Sequence, residues 1–311
     1  MFYEFSDDVV TIDMEDISSS FITVGFINVN EIDKIVEKFG FSQQTIQMCR
    51  EENKYFRSNI EMYEDYSFAS LKLINADGGK VDSDAVAMYV KKNLFIVVDV
   101  YDKDFSLRDK FLKILNRFSP SNVSVEKLIY AFLESVINGD SRFLEDTDFY
   151  INKMEKLVFK EEIDNDFNLK LLNVKQKLLL LRNYYEQLID LAEALEENEN
   201  ELFDESDLKY FSVFINKAKR LRENVDMLRD SVVHLKEAYE SSIELKLNKT
   251  MKIFTVFTVI FSPLTLITGW YGMNLSAMPE VGWKWGYAFV IGLCILTVVL
   301  VVFIFKKKKW I

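Results

Sequence analysis

The hydrophobic pattern changes its period along the chain. Up to about residue 118, short runs rich in β-branched and aromatic residues alternate with helical stretches. Residues 21–27, 66–74, 85–90 and 94–100 read as strands, the last two flanking Lys91-Lys92-Asn93 as a hairpin turn. Residues 30–39 and 43–52 read as helices, with Asn30 an N-cap for the first and Asp33 three positions on. From about 103 the strand signal ends, and long helical segments follow near 122–160, 166–197 and 207–270. Apolar residues there recur at three and four, as in Leu169, Leu172, Val174, Leu178, Leu179, Leu181 and Leu188. No proline lies between Pro120 and Pro263, so nothing in that stretch forbids continuous helix. The breaks near 160–166 and 196–207 are acidic, which suits solvated turns and the start of the next helix.

The last sixty residues follow a different rule. Residues 253–305 carry only Glu280 and Lys284 as charges, and the runs 253–270 and 286–305 carry none. About 20 apolar residues cross the hydrocarbon core of a bilayer as helix. The pattern predicts an α+β membrane protein: an α/β domain over 1–118, a long-helix stalk over 119–250, and a transmembrane part over 251–311 with spans at about 251–270 and 286–305. Lys246, Lys249 and Lys252 precede the first span, and Lys306, Lys307, Lys308 and Lys309 follow the second, whereas the connecting loop holds only Lys284. The positive-inside rule then puts both termini and the α/β domain in the cytoplasm of a cell (plasma) membrane protein. Trp270, Tyr271, Trp283, Trp285, Tyr287 and Trp310 cluster at the span ends, as interfacial aromatics do.

The first span is not uniformly apolar. Asn248, Met251, Thr255, Thr258, Ser262, Thr265 and Gly269 follow steps of 3, 4, 3, 4, 3 and 4, a seam along one helix face. Polar groups inside a membrane face protein or water. Small residues also promote close helix packing, but packing alone does not explain their collection on one stripe. Read as pore lining, the seam requires several copies of the chain, since two helices cannot enclose an aqueous path. Pro263 sits mid-span and frees a backbone carbonyl.

Composition and charge remove other classes. A net charge of −11 argues against nucleic acid as a partner. Cys49 and Cys294 are far apart, His234 is the lone histidine, and neither a disulfide framework, a zinc site nor a catalytic set emerges. No nucleotide-binding motif is visible, so ATP coupling and an organic cofactor are unsupported. The amino-terminal residues lack the basic start and apolar core of a signal peptide.

At the end of the first span stands Tyr271-Gly272-Met273-Asn274. Here the chain resembles the CorA family of magnesium transporters, whose signature is Gly-Met-Asn directly after the first membrane helix. Met278-Pro279-Glu280, Trp285-Gly286-Tyr287 and the closing lysines fit as well. The resemblance is specific over roughly 225–311 and rests on the order of elements over 1–200. It implies a homopentameric channel in which the first span of each chain lines the pore. It further implies that Asn274 forms an amide ring at the outer mouth, presented by Gly272 and Met273, and that Glu280 draws cations to the loop. Asn248 and Met251 match the family's inner constriction, Ser262 stands where relatives often carry methionine, and the four lysines add to a basic collar at the cytoplasmic mouth or bind anionic lipid. The family also implies gating by cytoplasmic Mg²⁺. Its regulatory acid has no counterpart near 210–214, and Asp204, Glu205 and Asp207 are the nearby substitutes. The expected function is potential-driven influx of Mg²⁺, with Co²⁺ or Ni²⁺ passing too. A relative specialised for Zn²⁺ and a membrane-anchored coiled-coil scaffold are the competing readings.

Overall fold

A computed structural model of the chain describes residues 1–51, 56–75, 82–102, 105–273 and 283–308. They divide into two compact units, 1–157 with 163–235 and 158–162 with 236–311.

The first unit is built on a seven-stranded sheet in the order β2-β1-β3-β7-β6-β5-β4. The strands are β1 (Phe2–Phe5), β2 (Val9–Ile12), β3 (Ile22–Asn28), β4 (Asn59–Met62), β5 (Ser67–Asn75), β6 (Asp82–Lys91) and β7 (Leu94–Tyr101). Neighbours are antiparallel except β3 and β7, which run parallel with Val24 opposite Phe95. The β6–β7 hairpin closes with Lys91 opposite Leu94, where Lys91-Lys92-Asn93 predicts the turn.

The central strands are covered on both faces, which is why β7 reads as a continuous apolar run rather than an alternation. Ile96 and Val98 point to one side, into a core shared with Phe2, Ile27, Phe41, Tyr66, Phe68 and Tyr89 and closed by α1 (Ile32–Phe39) and α2 (Gln43–Cys49). Phe95 points to the other side and meets Phe132 edge-on at 6.1 Å. Phe132 lies on α4 (Val125–Val136), which follows α3 (Ser106–Leu115). The Tyr89 hydroxyl donates to Thr45 Oγ1 at 2.6 Å, which satisfies both groups inside the aromatic cluster.

The remaining helices are α5 (Asp140–Phe159), α6 (Phe167–Glu197), α7 (Lys209–Tyr271) and α8 (Gly286–Lys307). Within the first unit α6 and α7 are antiparallel. Their cross-links are Arg182–Asp226 at 3.1 Å, Arg222–Glu186 at 3.4 Å and Lys219–Glu193 at 2.7 Å, so residue numbers rise on one helix as they fall on the other. Leu178, Leu181, Tyr185, Leu188 and Ala192 on α6 and Phe214, Ala218, Leu221, Val225 and Leu228 on α7 are buried at helical spacing.

Some details depart from the sequence reading. Asn30 does not cap α1: a 3₁₀ turn at Val29–Glu31 precedes the helix, and Asn28 Oδ1 accepts from the Asn30 amide. The segment expected as one helix over 122–160 is two, because Gly139 takes a φ of 102° between α4 and α5. The second acidic break is more than a solvated turn. Asn198 ends α6 in the left-handed region with φ 49°, and its carbonyl and amide groups pair with both backbone groups of Phe203. Asn200 Nδ2 donates to the Tyr63 carbonyl at 2.9 Å and to Ser67 Oγ at 3.0 Å, clamping this loop to the β4–β5 connection.

Candidate functional site

Burial along α7 stops at Leu235, and none of its residues from 236 to 271 is buried within the chain. The helix nevertheless continues unbroken through Pro263 to Tyr271, so all seven seam residues lie on one continuous helix. At 3.6 residues per turn their spacing keeps them on one stripe. Asn248, Met251, Thr258, Ser262, Thr265 and Gly269 are exposed and Thr255 is half-exposed. Large apolar side chains fill the rest of the surface: Phe254, Phe257, Phe261 and Leu266 are each more than half exposed. A Cβ added to Gly269 would meet nothing within 4 Å, so the stripe is flat and open there.

The three seam threonines share one geometry. Thr255 Oγ1 donates to the Met251 carbonyl at 2.8 Å, Thr258 Oγ1 to Phe254 at 2.9 Å and Thr265 Oγ1 to Phe261 at 2.9 Å. Each threonine hydroxyl hydrogen is committed to the carbonyl one turn earlier. What the hydroxyl then presents outward is its oxygen lone pairs, an acceptor. A hydrated cation offers outward-pointing water hydrogens, so a row of acceptors is the complementary surface.

At the end of α7 the Gly272 amide donates to the Thr268 carbonyl at 2.9 Å and the Met273 amide to Trp270 at 3.3 Å. A Cβ on Gly272 would sit 2.9 Å from the Thr268 carbonyl oxygen, closer than real Cβ atoms are found, so glycine suits this turn sterically. Asn274 and Glu280 lie outside the described residues, as does Lys309. Lys306 and Lys307 close the last turn of α8, and Lys308 caps it, its amide donating to Ile304 at 3.0 Å. Three cations at a helix carboxyl end complement its dipole.

The apolar run expected as a second span over 286–305 lies within the helix α8, Gly286–Lys307. Its 22 residues extend about 33 Å as helix. Ile295, Leu296, Val299, Leu300 and Phe303 are each more than half exposed, a surface that requires lipid or a partner chain.

The three acids named as regulatory substitutes sit in the loop before α7. Asp204 and Glu205 are exposed and Asp207 is half-exposed. Asp204 is tied by its backbone, its amide donating to Glu126 Oε1 at 3.1 Å, and the Tyr210 amide donates to the Asp207 carbonyl at 3.0 Å. Among the described residues of one chain, no group of three or more His, Cys, Asp or Glu is placed to hold an ion. His234 is exposed on α7. The Cys49 thiol is buried, and burial pushes it up to about 12, which leaves it a packing residue.

The family described as CorA-like Mg2+ transporter protein matches residues 21–307. The cobalt/magnesium transport protein CorA of Thermotoga maritima is 28% identical over 294 residues, covering 92% of this chain and 82% of its own. Among solved structures, the complete CorA magnesium transporter of Methanocaldococcus jannaschii superposes with a TM-score of 0.84 at 20% identity, over 100% of this chain and 98% of that one. The full-length CmaX protein superposes with a TM-score of 0.76 at 16% identity, over 99% and 97%. At these identities the two structures speak for the fold.

Proposed function

Because the chain belongs to the CorA-like Mg²⁺ transporter family, we propose that it carries divalent cations across a membrane, Mg²⁺ first and Co²⁺ or Ni²⁺ with it. The relative from Thermotoga maritima is named for cobalt and magnesium transport, which supports that pair of substrates. The observation that carries the reading is the seam of α7: aligned acceptors on the unburied apolar stretch from about 253, just before Gly272-Met273-Asn274.

In this reading α7 from about 251 and α8 are the two spans, and both termini lie in the cytoplasm. Several copies surround one path, and the homopentamer is the arrangement the family resemblance implies. The α7 seams face the path and α8 faces lipid. Mg²⁺ gives up its water reluctantly, so selection of a hydrated ion needs acceptors for water hydrogens more than charged ligands. The Asn274 amide oxygens supply them at the outer mouth, and Thr255, Thr258 and Thr265 supply them along the seam. Asn248 and Met251 form the narrow inner end. Glu280 raises the cation concentration outside, and the lysines from Lys306 to Lys309 meet anionic lipid or collar the inner mouth. Entry follows the membrane potential: two charges crossing 100 mV release about 4.6 kcal/mol, at about 2.3 per charge.

Cytoplasmic Mg²⁺ closes the path in this account. Asp204, Glu205 and Asp207 are its nearest acids, and the exposed pair suits a site shared between copies, to which each contributes one carboxylate. Mg²⁺ uptake by the purified chain in sealed vesicles tests the transport reading. Influx that is abolished or altered by Asn274→Ala supports it, and a correctly oriented parent that admits no Mg²⁺ under an inward gradient overturns it.

A further inference from the structure

Away from the seam, α3, α4 and the amino-terminal part of α7 border an open cleft of about 470 Å³. Its walls carry Lys110 and Lys113 from α3, Arg117 from the following turn, Glu134 from α4 and Lys217 from α7, over a floor of the buried Ile114 and Ala131. Four cations against one carboxylate are an unusual local balance in a chain of net charge −11. The carboxylate is moreover fully engaged. Glu134 Oε2 accepts from Arg117 Nη1 at 2.7 Å, and Oε1 accepts from Lys217 Nζ and from the Tyr130 hydroxyl, each at 3.0 Å. Burial alone would raise this carboxyl, but the hydrogen bonds from Arg117, Lys217 and Tyr130, with the Lys217 charge, outweigh it and hold it at about 2. It therefore stays anionic and spent on its partners throughout the physiological range.

Lys110 and Lys113 have no such partner among the described residues. They stand three apart on one helix face, where like charges repel, and both line the same space. Ser135 and Asn138 add neutral hydrogen-bonding groups to the wall. The cavity falls within the range of small-molecule sites, about 300–1,000 Å³.

We infer that this cleft binds a soluble phosphate-bearing molecule of nucleotide size, its phosphates held by Lys110, Lys113 and Arg117 and its remainder within reach of Ser135 and Asn138. Arg117 provides the planar fork that suits phosphate and the two lysines act as point charges. Glu134 competes for Arg117 and Lys217, so it sets the affinity rather than contributing to it. The inference stands apart from the transport reading, since it uses none of the seam residues.

The test is calorimetric titration of the full-length chain in detergent, with Mg²⁺ chelated, using inorganic pyrophosphate, ADP and adenosine as probes. Pyrophosphate and ADP should bind, more weakly as salt rises, and adenosine should not. The Lys110→Gln/Lys113→Gln variant should lose about tenfold or more in affinity for both phosphates, the scale of one charge-assisted contact. Glu134→Gln should gain several-fold, a direction that misfolding does not produce. Absence of binding at millimolar probe, unchanged binding in the double lysine variant, weaker binding in a Glu134→Gln variant that melts like the parent, or adenosine matching ADP each overturns the inference. A double lysine variant that changes the mass of the assembly while the parent ignores pyrophosphate gives the cleft to an acidic face of a second copy, and equally overturns it.

Discussion

Single side chains set the stability of the soluble part in ways that can be checked one at a time. Phe132 is fully buried against Phe95, between the sheet and α4. Phe132→Ala should cost about 3–5 kcal/mol, by lost transfer and the cavity it leaves, seen as a lower thermal midpoint. Asn200→Ala should cost about 1–3 kcal/mol, because it strands the Tyr63 carbonyl and releases the loop before α7. Glu134 has a pH signature. Its folded pKa lies below the ordinary value near 4.5, so its contribution is complete above that pH and is lost as pH falls toward about 2. Melting curves of the parent and Glu134→Gln should therefore converge across that acidic window. Asp99 has the opposite sign: burial and the neighbouring Asp102 raise it to about 6, against a hydrogen bond from Asn28, so its share of stability declines as pH climbs from about 4 to 6. At this scale the sequence was least informative. Neither Glu134 nor Asn200 belongs to a motif, and their roles arise from partners 83 and 137 positions away.

Elements were more legible, for reasons of length and locality. The apolar runs of β5, β6 and β7, the hairpin between the last two, and the acidic breaks that precede α6 and α7 are local signals, and the structure follows them. Strands β1, β2 and β4 escape because each has four residues, and Val9–Ile12 is mostly exposed. What makes them strands is pairing with distant chain, which no window contains. Two misses had a signal: Leu107, Phe111, Ile114 and Leu115 mark α3 at helical spacing, and Asn138-Gly139 is a turn pair that divides α4 from α5. The seam of α7 was fully visible, since periodicity alone collects it. Thr258→Leu or Thr265→Leu replaces an outward acceptor with a methylated surface and should reduce Mg²⁺ flux by about tenfold, equivalent to about 1.4 kcal/mol of barrier. Leu296→Ala or Val299→Ala on α8, which the proposal turns toward lipid, should leave flux within about twofold, both read by a Mg²⁺-sensitive dye in loaded vesicles.

For the whole molecule, the dominant feature is the exposed apolar surface of α8 and of α7 from about residue 253, which is not stable in water. In the proposal a bilayer covers it, and a ring of copies brings the α7 seams around one path. The membrane character was readable from composition and the family from Gly272-Met273-Asn274, whereas the number of copies is a property of surfaces between chains and is carried only by the resemblance. Native mass measurement in detergent should give a closed multiple of the 36.5 kDa chain, five for the arrangement proposed. The central claim is that divalent cations pass along the seam and through the Asn274 ring. Its most direct test is Mg²⁺ influx into vesicles carrying the purified parent, with Asn274→Ala and Thr258→Leu beside it, under a negative interior potential. The account predicts influx by the parent that steepens with potential and falls in both variants. A folded, correctly oriented parent that admits no Mg²⁺, or variants that admit it as the parent does, would contradict it.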